Sequence, residues 1–388
     1  MATTASIAGA STLSAELGQD AALSRTDPIV RLNAICPYYT MFPLDFPWGA
    51  LGSATEDEWV LDPFCGRGTT LFAARLRGLG AVGIDASPVA VALAQAKLVA
   101  PSPRTVADRC DELLHSGYRA RDVPKGRFWD LAYHRETLRE ICRLREQLLE
   151  AENDSVTIAL RAVLLGILHG PVRKGRPSYL SNQMPRTYAT KPEPAVRYWR
   201  KRKLRPQKVG VLDVVRRRAE FSLAQLPPVV PGDARLGDST TEIGRLRRRF
   251  SWVVTSPPYY GMRTYVPDQW LRGWFLGADP TVDYSVEGQL RQSQGLDTFV
   301  QDLSAVWRAA AGRCLPDANL VVRFGALPSV TGDPAVVLQR SIEEASAGWE
   351  INAIVPAGTP PNWARQAAQF SEAGDYVEEV DCYATLAF

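Results

Sequence analysis

The stretch Val60-Leu-Asp-Pro-Phe-Cys-Gly-Arg-Gly-Thr-Thr70 decides the fold, because it joins an apolar run at 59–61 to a helical pattern at 69–79. Gly66 and Gly68 permit a tight turn between the two and let a ligand approach the backbone closely. A buried strand, a glycine turn and a helix in this order are typical of the first unit of a doubly wound α/β sheet.

The next apolar run, at 81–84, ends at Asp85, and a second helical pattern follows at 88–99. Doubly wound folds place an acid at this point to bind ribose hydroxyls. The third glycine of a dinucleotide fingerprint is missing, and no G-K-[S/T] follows the turn. The turn therefore predicts a site for a ribose-containing ligand and excludes a Walker phosphate loop.

The alternation of strands and helices stops near residue 100 and resumes near residue 229. Further strands are predicted at 228–231, 251–254, 319–324, 351–355 and 377–388, and helices at 299–314 and 335–347. We expect an α/β fold: a Rossmann-like, seven-stranded, mostly parallel sheet with helices on both faces, plus a helical, irregular basic insert. Residues 28–100 and 228–388 are assigned to the cofactor-binding catalytic domain, 101–227 to the insert and 1–27 to a disordered leader.

The full string D-P-F-C-G-R-G-T-T resembles the S-adenosylmethionine loop of amino-methylating DNA methyltransferases, which has the form D-P-F-x-G-x-G-T-T. The resemblance implies S-adenosylmethionine as the cofactor. Its methionine part is then lined by matching residues of the loop: Asp62, Phe64, Gly66, Gly68 and Thr69. By the same resemblance Asp85 holds the ribose, Asp233 is the third-strand acid that contacts the adenine, and residues 37–43 pack against the methionine end.

A second motif, Ser256-Pro257-Pro258-Tyr259, follows directly on the strand predicted at 251–254. Prolines have no N–H group, so Ser256 and Pro257 present carbonyls to a donor such as the exocyclic amino group of a base. Such bonds draw the amino lone pair out of conjugation, and Tyr259 can stack on a base taken out of the duplex. The motif predicts direct methyl transfer that depends on positioning and electrostatics.

S-P-P-Y resembles the motif of the cytosine-N4 branch of this family, so we expect methylation of the N4 amino group of cytosine in duplex DNA by base flipping. The adenine-N6 branch, usually D-P-P-Y or N-P-P-Y, is the main alternative, because some adenine enzymes also carry serine. RNA guanine-N2 methyltransferases share the D-P-F-x-G-x-G loop and typically have D-P-P-Y. A silent DNA-binding subunit is disfavoured by the intact loop and tetrapeptide. Methylation at cytosine carbon 5 is disfavoured because no cysteine here follows a proline.

The insert has a large excess of basic residues. Between Arg173 and Arg218 fifteen Lys or Arg residues stand against two acids, and tyrosines and Trp199 are interleaved with them. Basic patches attract phosphates, and aromatic planes stack on bases. We therefore predict target recognition by this segment, with DNA contacts from Arg173, Lys174, Arg176, Asn182, Gln183, Arg186, Lys191 and Arg197.

The remaining composition excludes several classes. Six cysteines without C-x-x-C spacing and three histidines predict neither a disulfide framework nor a metal site. No membrane-length apolar run or secretion signal is found, so a cytoplasmic protein that does not bind membranes is expected. The family resemblance implies a cognate restriction endonuclease or defence-system proteins as partners.

Overall fold

The computed structural model describes residues 27–38, 42–172, 175–185, 187, 189–260, 266–282, 295–325, 333–357 and 379–387. Within these ranges seven strands form one sheet: β1 (Trp59–Asp62), β2 (Gly80–Asp85), β3 (Gly232–Leu236), β4 (Phe250–Thr255), β5 (Cys314–Gly325), β6 (Trp349–Pro356) and β7 (Glu379–Leu386). Their order is β3-β2-β1-β4-β5-β7-β6, and β7 alone runs antiparallel to both of its neighbours. The predicted Rossmann-like, mostly parallel sheet is confirmed.

The helices fill the connections between these strands. A 3-10 helix (Pro28–Ala34) comes first in the described chain. The α-helices are α1 (Asp45–Ala50), α2 (Thr69–Leu76), α3 (Pro88–Gln95), α4 (Pro103–His115), α5 (Arg127–Ala132), α6 (Arg135–Glu150), α7 (Ser155–Ile167), α8 (Pro192–Lys201), α9 (Val211–Leu223), α10 (Ser239–Arg245), α11 (Val266–Phe275), α12 (Leu296–Ala311) and α13 (Pro334–Ala345).

Alternating strand residues build a core on each face of the sheet. Leu61 and Val82 belong to one apolar cluster, which also contains buried residues of α10, α12 and α13. Val60 and Ala81, one position earlier on the same strands, belong to another cluster with α1, α2 and α3. Successive side chains of a strand point to opposite faces, so helices on both sides leave these strands apolar throughout.

The third strand does not lie where the sequence predicts it. The prediction at 228–231 is wrong, and the strand is Gly232–Leu236, in which only Ala234 is buried. This strand lies at the edge of the sheet and pairs with β2 alone. An edge strand with so little burial has no apolar pattern to detect, whereas the valines before it form an apolar run outside the sheet.

The insert packs onto the rest of the chain through a continuous core. Buried residues of α4 to α9 share one apolar cluster with the 3-10 helix, α3 and α11. Residues 134–169 of the insert contain two helices, because Asp154 caps α7 by accepting from the backbone amides of Val156 and Thr157 at 2.8 Å each. The helices of the insert therefore form one packed unit with α3 and α11.

Both ends of the insert meet at Arg75 of α2, whose side chain is buried. Its guanidinium donates to the carbonyls of Lys97 and Val99 at 2.7 and 2.9 Å, where the chain enters the insert. It also donates to the carbonyls of Pro227 and Pro228 at 2.5 and 2.9 Å, where the chain returns. The Arg75 guanidinium thus ties the entry and the exit of the insert to α2.

Two aromatic residues of the insert do not lie where a stacking surface would need them. Tyr179 and Trp199, interpreted above as stacking planes for a nucleic acid, are buried. Trp199 packs against Phe128 with ring centroids 5.7 Å apart, and Tyr179 lies against Gly170. These rings belong to the core because the helices of the insert need large apolar groups to pack together.

Candidate active site

The two motifs meet because their strands are neighbours. β1 pairs in parallel with β2 on one side and with β4 on the other, so the strand order reverses between β1 and β4. Ligands of open α/β sheets bind at such a switch point, beyond the carboxyl ends of the strands. The turn after β1 and the tetrapeptide after β4 both begin at this edge.

The cofactor loop is held in shape by its own backbone. Gly66 and Gly68 have φ of +49° and +80°, in the left-handed region that glycine adopts without strain. A side chain at Gly68 would come within 2.7 Å of Ala94 Cα in α3, so this glycine also permits close packing of the two helices. At Gly66 a side chain would meet no atom within 4 Å, so the described residues leave this side of the turn open.

Asp85 braces this turn from the end of β2. Its two carboxylate oxygens accept from the backbone amides of Gly66 and Ser87 at 2.9 and 2.8 Å. Burial raises its pKa to about 6. Tyr38, from the segment predicted to pack against the cofactor, lies beside this carboxylate, and its own pKa is raised by burial and by Asp85. Residues 39–41 lie outside the described residues.

Asp62, at the end of β1, is completely buried. Its Oδ1 accepts from the Thr255 hydroxyl at 2.6 Å and from the Phe64 amide at 3.1 Å. Its Oδ2 has no partner within hydrogen-bond distance among the described residues. Burial raises its pKa to about 6, against the opposing effects of the Thr255 and Thr70 hydroxyls. Thr69, also predicted at the site, is buried as the first residue of α2.

Arg67 is a residue of the loop to which sequence reasoning gave no role. It occupies the variable position between the two glycines, and its side chain is only 8% exposed. No hydrogen bond or ion pair joins it to another described residue, and burial lowers its pKa to about 10. The fully buried Lys97 is near enough for its pKa to be lowered by Arg67 as well as by burial. Lys97 Nζ donates to the Leu32 carbonyl at 2.6 Å, so Arg67 is the one of this pair that has no polar partner among the described residues.

The tetrapeptide leaves β4 at the same edge. Ser256 and Pro258 are half-buried, and Pro257 is buried. Tyr259 is buried, with its ring against Gly325 and edge-on to Phe324 at a centroid distance of 5.9 Å. Its hydroxyl donates to Glu379 Oε1 at 2.7 Å. Stacking of this ring on a base therefore stays a prediction.

The third-strand acid lies away from the site edge. Asp233 stands opposite Val82 in the register, at the beginning of β3, and forms an ion pair with Arg235 at 2.8 Å. Asp238, two residues beyond β3, lies at the carboxyl edge instead. The preceding Gly237 amide donates to the Asp85 carbonyl at 3.1 Å, and the Asp238 carboxylate caps α10 by accepting from the Thr241 amide at 3.0 Å. The adenine contact of Asp233 stays a prediction.

The predicted DNA contacts divide into three groups. Arg173, Lys174 and Arg186 lie outside the described residues. Arg176 and Arg197 are exposed, and Lys191 is exposed with its Nζ 3.5 Å from Asp268. Asn182 and Gln183 are half-buried, and the Asn182 amide nitrogen donates to the Leu131 carbonyl at 3.1 Å. The cations are thus placed on a surface, whereas Asn182 supports the fold.

In the described part of the chain, no group of three or more His, Cys, Asp or Glu is arranged to hold a metal ion. None of its helices has the length and apolarity needed to cross a membrane. All six cysteines are buried free thiols.

Comparison with known proteins gives one family match, which covers residues 42–96 and is described as DNA methylase. No curated protein sequence matches the chain. Among solved structures, the rRNA methyltransferase aviRa from Streptomyces viridochromogenes is 15% identical, with 94% of this chain and 95% of that chain covered and a TM-score of 0.37. A S-adenosylmethionine-dependent methyltransferase from Methanosarcina mazei is 8% identical over 90% and 99%, with a TM-score of 0.32. The glycopeptide N-methyltransferase MtfA, complexed with S-adenosylmethionine, is 10% identical over 90% and 96%, with a TM-score of 0.31.

The match at 42–96, which contains the cofactor loop and Asp85, supports the DNA amino-methyltransferase family predicted above and does not separate its cytosine-N4 from its adenine-N6 branch.

Proposed function

We propose that this chain transfers a methyl group from S-adenosylmethionine to the N4 amino group of cytosine in duplex DNA. The observation that carries the proposal is the 2.6 Å hydrogen bond from Thr255, the residue before the S-P-P-Y tetrapeptide, to Asp62 of the cofactor loop. It ties the residues that would present a base to the residues that would hold the cofactor. The DNA methylase match over residues 42–96 supports the cofactor side of this pair.

The residues around the loop fit S-adenosylmethionine. The open space above Gly66 admits a ligand against the backbone, and Asp85 supplies acceptors for ribose hydroxyls. Asp62 holds the Phe64 amide of the loop, and Arg67 is a buried cation for the methionine carboxylate. When bound, the cofactor supplies an electrophilic methyl group on a positively charged sulfur.

The tetrapeptide would orient the acceptor. The exocyclic amino group donates to the Ser256 side chain and to a backbone carbonyl of the Ser-Pro pair, which localises the nitrogen lone pair for in-line attack. Pro257 and Pro258 keep that carbonyl free of competing N–H donors. Serine at the first position, where the adenine branch usually has Asp or Asn, is what favours cytosine. N6-adenine is the second candidate, because the geometry of the pair suits either amino group.

DNA would be held through the basic surface of the insert. Arg197, Arg200 and Lys201 of α8 are exposed, as are Arg202 and Lys203 after it. Phosphate contacts of this kind position the duplex without reading sequence. Reaching an amino group inside a duplex requires the base to be flipped out, so base flipping is part of the proposal. A cognate nuclease or defence-system partner is the association that the resemblance suggests.

The test is product identification. The protein is incubated with labelled S-adenosylmethionine and mixed-sequence duplex DNA, and the digested nucleosides are identified by mass spectrometry. We expect N4-methylcytosine, lost in Ser256→Ala and retained in Ser53→Ala, a control at an exposed serine far along the chain from the motif. N6-methyladenine would overturn the choice of base. Methylation of RNA alone, with none of DNA, would overturn the choice of nucleic acid.

A further inference from the structure

An amino nitrogen that accepts a methyl group must then lose one of its protons. The nitrogen lone pair forms the new N–C bond while the electrons of the breaking S–C bond stay on sulfur, so the nitrogen becomes positively charged until it loses a proton. The S-P-P-Y tetrapeptide has no carboxylate to receive that proton. An acceptor must therefore come from elsewhere in the structure or from solvent.

A carboxylate from the far end of the chain reaches the tetrapeptide. The Tyr259 hydroxyl donates to Glu379 Oε1 at 2.7 Å, across 120 residues of sequence. Burial and Glu379 raise the pKa of this phenol, and the Ser256 side chain lies near enough to oppose them. Glu379 itself is half-buried at the first position of β7, so its other side can exchange protons with water. These three groups form a continuous line from the acceptor position toward solvent.

The neighbouring charges leave the Glu379 carboxylate available to accept a proton. Arg323 of β5 is the adjacent cation, but its Nε and Nη2 donate to the two oxygens of Asp381 at 2.7 and 2.6 Å. That bidentate pair satisfies both partners. Glu379 therefore has Tyr259 as its bonded partner, while Arg323 lies near enough to stabilise its negative charge.

The packing of Tyr259 fixes its hydroxyl toward the carboxylate. The position of a Cβ on Gly325 lies 2.9 Å from the ring, so only glycine leaves room for it there. Phe324 holds the ring edge-on from the same strand. Burial and the Glu379 charge raise the pKa of Tyr259 well above its ordinary value, so the phenol stays protonated and able to donate.

We propose that Ser256, Tyr259 and Glu379 form the proton exit path of the methyl transfer, with Glu379 as the terminal acceptor. The inference rests on the function proposed above. The methylated nitrogen gives its proton to Ser256 Oγ, the Ser256 proton passes to the Tyr259 oxygen, and the Tyr259 proton passes to Glu379 Oε1. Glu379 ends as a neutral acid and returns the proton to water. Glu379 and Tyr259 thus act on the substrate only through Ser256, as positioning and relay residues.

The test compares Glu379→Gln with Tyr259→Phe and with Glu350→Gln, an exposed control on the adjacent β6. Glutamine keeps an oxygen acceptor for Tyr259 but cannot take up a proton. We expect the single-turnover methylation rate to fall about 100-fold in Glu379→Gln, the usual scale for general-base catalysis. The wild-type rate should fall more steeply in acid than the rate of this variant, in which the titrations of Asp62 and Asp85 remain. The double variant with Tyr259→Phe should lose no more than either single one, and cofactor affinity should stay within about twofold.

A second measurement does not depend on activity. Tyrosine labelled with ¹³C at the ring carbon that bears the hydroxyl gives a Tyr259 resonance, assigned by its loss in Tyr259→Phe. We expect this resonance to move in Glu379→Gln and to stay in Glu350→Gln. A moved resonance with an unchanged rate and pH profile would overturn the path while leaving the methyltransferase proposal intact. An unmoved resonance would overturn the contact itself. An inactive wild-type protein with a moved resonance would overturn the proposed reaction and the path with it.

Discussion

The Thr255 hydroxyl donates a 2.6 Å hydrogen bond to the buried Asp62 carboxylate, and this bond joins the strand of the tetrapeptide to the strand of the cofactor loop. Both residues are completely buried at the ends of adjacent parallel strands. A displacement of one motif is therefore transmitted to the other through a single short contact.

Removing this hydroxyl should uncouple the two motifs. In Thr255→Val the shape is kept but Asp62 Oδ1 loses its shortest bond, so we expect a loss of stability of about 1–3 kcal/mol. Cofactor affinity should also fall. Chemical denaturation and calorimetric titration with S-adenosylmethionine measure the two effects. Thr255→Ser keeps the hydroxyl and should stay close to wild type; equal losses in both variants would contradict the role of the bond.

Arg67 should strengthen the binding of S-adenosylmethionine and lower the stability of the ligand-free protein. Arg67→Met removes a buried cation without a partner among the described residues, so the free energy of unfolding of the ligand-free protein should rise or stay unchanged. Affinity for S-adenosylmethionine should fall about 10- to 100-fold, because a charge-assisted bond contributes about 1.5–3 kcal/mol. Affinity for the analogue with its carboxylate amidated should be equal in both proteins. A large loss of stability would show that Arg67 has a structural role instead.

Asp62 should make stability fall as pH rises. Its pKa of about 6 in the folded protein exceeds the ordinary value of 3.8, so its ionisation opposes folding. The penalty is absent below about pH 4 and complete above about pH 6, where it amounts to about 3 kcal/mol. Asp62→Asn lacks it, so its unfolding free energy minus that of wild type should increase between pH 4 and 6 and then level off. Asp57→Asn, at an exposed position, should show no such increase.

Replacing one partner of the buried pair Arg323–Asp381 should lower the unfolding free energy more than replacing both. Arg323→Met leaves a buried carboxylate without its cation, which should lower the unfolding free energy by about 3–5 kcal/mol. Replacing both residues, as Arg323→Met with Asp381→Leu, should recover most of this loss because no buried charge remains. Urea denaturation of the single and double variants distinguishes the cases. Additive losses in the double variant would show that the pair is not coupled.

The exposed arginines of α8 should bind DNA through phosphates. Arg197→Gln together with Arg200→Gln should weaken binding of different DNA sequences alike. The slope of log affinity against log salt should become less steep by about 1 per lost contact. Fluorescence anisotropy across a salt series measures both. Arg104→Gln on α4, also exposed, serves as the control. An unchanged slope would place the DNA on another surface.

The fold was predictable where burial imposes a pattern. β1, β2 and β4 are buried on both faces and appear as apolar runs, so their places were found within about one residue. β3 was missed because its exposed edge position leaves one buried residue in five. Its charged residues look like a loop, and only pairing with β2 makes them a strand.

The candidate site was predictable as two motifs but not as a set of contacts. Spacing marks Asp62, Asp85 and Ser256, because each follows directly on a strand. The contact between Glu379 and Tyr259 depends on which strands are neighbours in the sheet, which no local pattern states. The same holds for Trp199, whose basic surroundings suggest an exposed ring but whose contact with Phe128 buries it.

β7 lies between β5 and β6 and forms antiparallel ladders with both. During synthesis, β5 and β6 leave the ribosome before their shared neighbour exists. Until residues 379–386 emerge, β5 has an unpaired edge and β6 has no partner in the sheet. Unpaired edges recruit other strands, so the nascent chain is most exposed to aggregation in this interval. Slow translation or truncation before β7 should therefore make this protein depend on chaperones.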